Sequence, residues 1–247
     1  MSAVRFGHIT LEICLSSPDH AIAAERAGAD RIELCANLAA GGTTPSPELM
    51  RAVRTSVRAP IYAMIRPRPG NFVYSVEEFA AMRNDIRSAQ LSGMDGVVLG
   101  ILTPCRDVDT ERTREMVGLA HPLPVTFHRA FDEVRDFGVA LEAVIATGAQ
   151  RILISGGQPQ AVDALAQLKQ LVQQAGSRIS IMPGGGVHAG NVAQVLQQTG
   201  AREVHASLGL SCRALQKISD PQAESATEEA CYLAEWEDEL RKLKAAL

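Results

Sequence analysis

The sequence predicts an α/β protein of the TIM-like (β/α)₈ barrel class, a single domain over residues 1–247, and three observations carry that prediction. The chain has 247 residues, close to the roughly 250 of one such barrel. Short β-branched runs alternate with amphipathic, Ala-rich stretches, the pattern of parallel βαβ units. Four of those stretches also end alike, in AGAD at 27–30, SGMD at 92–95, TGAQ at 147–150 and TGAR at 199–202. Each places a Gly where a helix closes in the left-handed conformation, and a strand follows at once.

In chain order, strands are expected near Ile9–Cys14, Arg31–Cys35, Ile61–Arg66, Gly96–Ile101, Pro124–His128, Arg151–Ser155, Arg178–Met182 and Glu203–Ser207. Helices are expected between them near Pro18–Ala27, Pro47–Val57, Val76–Leu91, Thr110–Leu119, Gly138–Thr147, Gln160–Gln174 and Ala189–Gln198. An eighth helix, with Trp236, is expected over about 224–247. The stretch 209–222 before it is long for a loop, so it is expected to lie over the rim or to be mobile. A doubly wound open sheet is the alternative. The early Gly-rich dinucleotide loop of many such sheets is absent, because LEICLSSPDH stands at that place.

Composition narrows the function. Hydrophobic residues are 46% and charged residues 21%, which excludes disorder. A net charge of −4 without a basic run argues against nucleic acid and against an anionic membrane as partner. The N-terminal MSAVRFGHIT has no signal-peptide core, and no apolar run of about 18 residues occurs. The five cysteines, Cys14, Cys35, Cys105, Cys212 and Cys231, are odd in number and scattered. They read as reduced thiols, and a cytoplasmic location is expected.

In a barrel, chemistry gathers at the C-terminal ends of the strands. The first two strands nearly repeat, as Leu11-Glu12-Ile13-Cys14 and Ile32-Glu33-Leu34-Cys35. Alternation puts Glu12 with Cys14 and Glu33 with Cys35 on matching faces of neighbouring strands. A carboxylate inside an apolar strand needs a partner. Each Glu either pairs with an Arg inside the barrel or binds substrate and moves protons. The two cysteines are either small buried hydrophobes or soft ligands for Cu(I). Arg66 and Arg68, stiffened by Pro67 and Pro69, form a double donor for a carboxylate or phosphate, with Glu12 and Glu33 as internal alternatives. Phe72 and Tyr74 are expected on the loop beyond, as lid or packing.

The fifth strand ends in His128-Arg129-Ala130-Phe131-Asp132. His128 can titrate near neutrality there and is the first acid/base candidate, with Arg129 and Asp132 to orient it or bind substrate. The last three strands end in Ser155-Gly156-Gly157, in Gly184-Gly185-Gly186 and in His205-Ala206-Ser207. Glycine amides with Ser155 and Ser207 suit an anion or a tight turn. His205 is a second acid/base candidate or a buried donor. His8, His20, His121 and His188 read as surface or capping residues, and no GxSxG elbow supports a hydrolase.

Taken together, LEIC, GADRIELC, GGTTPS, IRPRPGNFVYS, TFHRAFD, ISGG, MPGGGV and EVHAS, in this order from Leu11 to Ser207, closely resemble the CutC family of copper homeostasis proteins. The resemblance implies a TIM-like barrel, a cytoplasmic location, a homodimer and a link to copper, with Cys14 and Cys35 as the Cu(I) ligands. Beside it stands the reading from the residues alone, an enzyme acting on a small anionic, phosphorylated molecule at the rim. There His128, Glu12, Glu33 and Asp132 would be catalytic. Arg66, Arg68, Arg129, Ser155, Gly184, Gly185, Gly186, His205 and Ser207 would hold the anion.

Overall fold

Alternation decides which way each strand residue faces, and here it separates apolar from polar. Leu11, Ile13, Leu15, Ile32, Leu34, Ile61, Val97, Val125, Phe127, Ile152 and Ile154 are fully buried and pack outward against helices. Glu12, Arg31, Glu33, Thr126, Arg151 and His205 take the alternate positions and are buried as well. The hydrophobic core therefore lies between sheet and helices, and the lumen is polar.

The computed structural model describes residues 8–210 and 226–247. Its strands are β1 (Thr10–Leu15), β2 (Arg31–Leu34), β3 (Ile61–Met64), β4 (Gly96–Leu99), β5 (Val125–Phe127), β6 (Arg151–Ile154), β7 (Ser180–Pro183) and β8 (Glu203–Ala206). All neighbours pair in parallel, in the order β7-β6-β5-β4-β3-β2-β1-β8. β7 also packs beside β8, so the ring is nearly closed. The barrel expected from the sequence is the fold observed.

The helices are α1 (Pro18–Arg26), α2 (Pro47–Ser56), α3 (Val76–Leu91), α4 (Thr110–Ala120), α5 (Phe137–Thr147), α6 (Leu165–Ala175), α7 (Val192–Thr199) and α8 (Ala226–Ala245). Ser17, Ser46, Ser75, Asp109 and Asp136 cap five of them with side-chain acceptors, each contributing about 1 kcal/mol. Gly28, Gly93, Gly148 and Gly200 all carry positive φ where the four repeated endings put them.

Several ends shift by one to three residues, and two differences change an element itself. The run expected as one helix from Gln160 splits into a 3₁₀ turn, Ala161–Ala164, and α6. The break is at Ala164, whose backbone leaves the helical region (φ −128°, ψ 25°). β5 stops at Phe127, and the chain turns at once into a 3₁₀ segment, Arg129–Glu133. α8 packs on α1 through buried Trp236 and ion pairs of Arg26 with Glu237 and of Lys244 with Asp30. Most of the expected 209–222 loop lies outside the described residues.

Candidate functional site

The lumen is best built from its base. Arg31, Arg151 and Glu203 open β2, β6 and β8, so parallel register brings them to one level. Glu12 is offset along β1 until it sits beside Arg31. Arg31 binds Glu12 through Nε and donates through Nη2 to Glu203 Oε2 at 2.6 Å. Arg151 Nε donates to the same Glu203 oxygen at 2.5 Å, and its Nη1 to Thr126 Oγ1 at 3.1 Å. Both guanidiniums lie over the Tyr62 ring, at 5.1 and 5.5 Å. Two cations meet two carboxylates here. Glu12 is 0% exposed and fully engaged. Burial alone would raise its carboxyl, but Arg31 and His205 outweigh burial and hold it at about 2. Glu12 takes the internal Arg pairing, one of the two alternatives the sequence leaves for it.

One level higher, the register sets His205 of β8 against Glu12 of β1. Glu12 Oε1 lies 2.8 Å from His205 Nδ1, and Glu33 Oε2 is 3.9 Å from its Nε2. Burial opposes charge on this ring, but Glu33 and Glu12 raise its pKa well above the ordinary value. His205 therefore sits between two carboxyls that favour its protonated form. Glu33, 3% exposed, has no arginine partner among the described residues and leaves Oε1 without a hydrogen bond there. Burial pushes its carboxyl up. The two Glu positions that look equivalent in sequence are chemically different.

Above them stand the cysteines. Cys14 Sγ donates to Cys35 Sγ at 3.7 Å, and Cys35 Sγ lies 3.6 Å from Glu33 Oε2. Ligand atoms of Cys14, Glu33 and Cys35 all fall within 4.8 Å of one another, as do those of Glu12, Glu33 and His205. The hydrogen bond to Cys35 and burial raise the Cys14 thiol well above its usual range. That bond pulls Cys35 down, yet burial and Glu33 carry it to about 11. Both are thiols at neutral pH.

Cys14, Glu33 and His205 form the floor of a rim cavity of about 490 Å³, with Met64, Arg66, Phe72 and His128 also among its lining residues. Its size is that of a small-molecule site. Arg66 does not reach Glu12 or Glu33, contrary to the internal pairing considered above. The loop after β2 curls over it, and its guanidinium donates to the carbonyls of Ala40 (3.0 Å), Gly42 (2.9 Å) and Gly70 (2.9 Å). Arg66 is 6% exposed, its Nε has no partner, and no carboxylate pairs with it among the described residues.

His128 follows β5 and turns into the cavity, in a slot left open by Gly100, where a Cβ would lie 2.5 Å from its Nδ1. Nδ1 accepts from the Ala130 N–H at 3.2 Å, so the ring proton sits on Nε2. Nε2 is buried and has no partner among the described residues. Burial first, and then the Arg66 charge, lowers this histidine to about 3. The expectation that it titrates near neutrality is corrected: His128 is a neutral hydrogen-bond donor. Phe72 packs against both, 5.0 Å from Arg66 Cζ and 4.9 Å from the His128 ring.

The remaining candidates scatter. Arg68 is corrected as an anion ligand, because it leaves the cavity to bind Glu78 at the start of α3, with carbonyls of Asn71 and Val73. Asp132 does not orient His128; it accepts from Arg129 Nε and from the Ser155 and Gly157 amides. Ser155 is fully buried between Arg129 and Gln158. Gly184 is a packing residue, since a Cβ there would lie 2.5 Å from Leu153. Gly185 (φ +96°), Gly186 (φ +66°), Arg129 and Ser207 do border the cavity. His188 also borders it, while capping the Gly190 amide. Sequence reasoning passed over Gly100, the Ala40–Gly42 carbonyls and the Arg31–Arg151–Glu203 set. The arginines and glutamate at strand starts were the available signal for the last.

The chain matches the model of the CutC family over residues 9–210. It is 47% identical over 197 residues to "Copper homeostasis protein cutC homolog" of Homo sapiens, covering 80% of this chain and 72% of that one. A family protein CutC of Chromobacterium violaceum is 49% identical over 197 residues, covering 80% of each. A crystal structure of CutC from Streptococcus agalactiae superposes with a TM-score of 0.77 at 36% identity, covering 81% of this chain and 98% of that one.

Proposed function

The chain belongs to the CutC family, and from that premise we propose that it handles copper by binding Cu(I) at Cys14 and Cys35. The carrying observation is a pair of buried thiols 3.7 Å apart, of which Cys14 lines the rim cavity and Cys35 lies behind it. Cu(I) is the soft ion that thiolates select, and neither sulfur is committed to a disulfide. A linear site would hold two sulfurs on opposite sides of the ion, roughly 4.6 Å apart at zinc-like bond lengths. The observed spacing suits a bent pair with a third donor instead, and Glu33 stands where one is needed. Binding would expel the thiol protons to solvent through the cavity. The cluster is donor-rich and almost dry, so copper would displace no structural ion pair at the base.

A cytoplasmic location belongs to the same reading and rests on the unpaired thiols Cys14, Cys35, Cys105 and Cys231. So does the homodimer, which sedimentation of the purified chain would test. For copper itself the test is X-ray absorption of anaerobically loaded protein. The expected spectrum has two sulfur neighbours at roughly 2.3 Å and one oxygen or nitrogen. A shell of nitrogen and oxygen alone would refute the site.

A further inference from the structure

We infer that the rim cavity binds a small organic anion, with its carboxylate or phosphate oxygens seated on Arg66 Nε and His128 Nε2 and its carbon body against the apolar wall. Four observations carry this, and none involves the cysteines. Arg66 is a buried cation whose partners are all neutral carbonyls. A buried charge without a counter-charge is costly, and Tyr74, which burial pushes up to about 12, brings no charge to relieve it. Secondly, Arg66 Nε and His128 Nε2 are buried N–H donors without acceptors, on residues that both line the cavity. Native proteins rarely leave such donors unmet.

The third observation is the tautomer. With the Ala130 amide occupying Nδ1, His128 can present only a donor to the cavity. The fourth is the wall, formed by Leu38, Met64, Phe72, Leu153, Val187 and Leu208. A bare inorganic ion would leave that apolar surface wet. The sequence points to an anion cradle at Gly185 and Gly186. The structure moves the oxyanion to the β3–β5 side, because Arg129 there is already paired with Asp132 and Arg66 is not.

The test is ligand-observed saturation-transfer NMR on the full chain with butyrate, propyl phosphate and butanol. At least one of the two anions is expected to bind at millimolar concentration, and butanol is expected to bind at least tenfold more weakly. Whichever anion binds more tightly tells carboxylate from phosphate. His128→Asn keeps an acceptor for the Ala130 amide and removes the Nε2 donor, so it is expected to weaken the anion at least fivefold. Arg66→Lys keeps the charge, removes Nε and should do the same; if it fails to fold, His128→Asn decides. Binding of butanol as strong as of the anions, no binding of either anion, or unchanged affinity in His128→Asn overturns the inference. Cu(I) affinity is expected to be unchanged in His128→Asn, and anion binding unchanged in Cys35→Ser, whose thiol does not line the cavity. Failure of one reading is therefore visible apart from failure of the other.

Discussion

The two ends of the lumen are made by the same strands and follow opposite rules. Arg31 at the base and Arg66 at the rim are equally buried, each 6% exposed. Arg31 meets two carboxylates, and among the described residues Arg66 donates to carbonyls alone. At the base Glu12, Arg31, Arg151 and Glu203 satisfy one another. At the rim Glu33, Arg66 and His128 each leave a polar atom unmet. Burial is the same, so solvent does not explain the difference. The base is finished by the fold, and the rim is finished by what enters the cavity. That division matches the general asymmetry of these barrels, with stability at one face and chemistry at the other.

The comparison breaks if the base is not what holds the barrel. Arg31→Met would strand Glu12 and Glu203 with half their compensation, and is expected to cost about 3–5 kcal/mol in urea denaturation. A loss under about 1 kcal/mol would mean the network is dispensable. The rim is expected to show in the pH profile. His128 has a folded pKa of about 3 against roughly 6.5 unfolded. Between those values the unfolded chain binds the extra proton, so stability falls as pH drops from about 6.5 to about 3, by at most a few kcal/mol. Glu12, at about 2 against roughly 4.3 unfolded, adds a loss that sets in as pH falls below about 5 and grows down to about 2. Denaturation melts of wild type and His128→Asn over this window should differ in slope by about one proton.

Two glycines around β4 sharpen the contrast. A Cβ at Gly96 would lie 2.6 Å from the Tyr62 ring, and one at Gly100 would lie 2.5 Å from His128. Each Ala substitution should cost about 1–3 kcal/mol by overpacking. Only Gly100→Ala should also weaken butyrate or propyl phosphate binding, measured as above. The smallest effect belongs to Arg68→Ala. Its partly exposed bridge to Glu78 should contribute under about 1 kcal/mol, and both cavity ligands should bind unchanged.

Much of this is legible in the sequence. The four Gly-ended helices and the alternating β-branched runs carry the barrel, because helix termination and strand pleat are local. Cys14 and Cys35 were paired correctly by strand repetition. The two glutamates show where such reasoning stops. Glu12 and Glu33 occupy matching sequence positions, but the offset between β1 and β2 sets Arg31 beside Glu12 and Cys14 beside Glu33. Register across strands is not written in either strand alone. Arg66 and Arg68 failed to act as a pair for a related reason. The Ala40–Gly42 carbonyls that hold Arg66 come from a loop far off in sequence. Arg68 is drawn away by the capping Glu78.

The most direct test of the account is an anaerobic Cu(I) competition titration against a chromophoric chelator, with wild type beside Cys14→Ser with Cys35→Ser. One Cu(I) per chain is expected in the wild type, with affinity at least 100-fold lower in the double variant. Equal affinity in the two proteins would contradict the reading of the rim as a copper site.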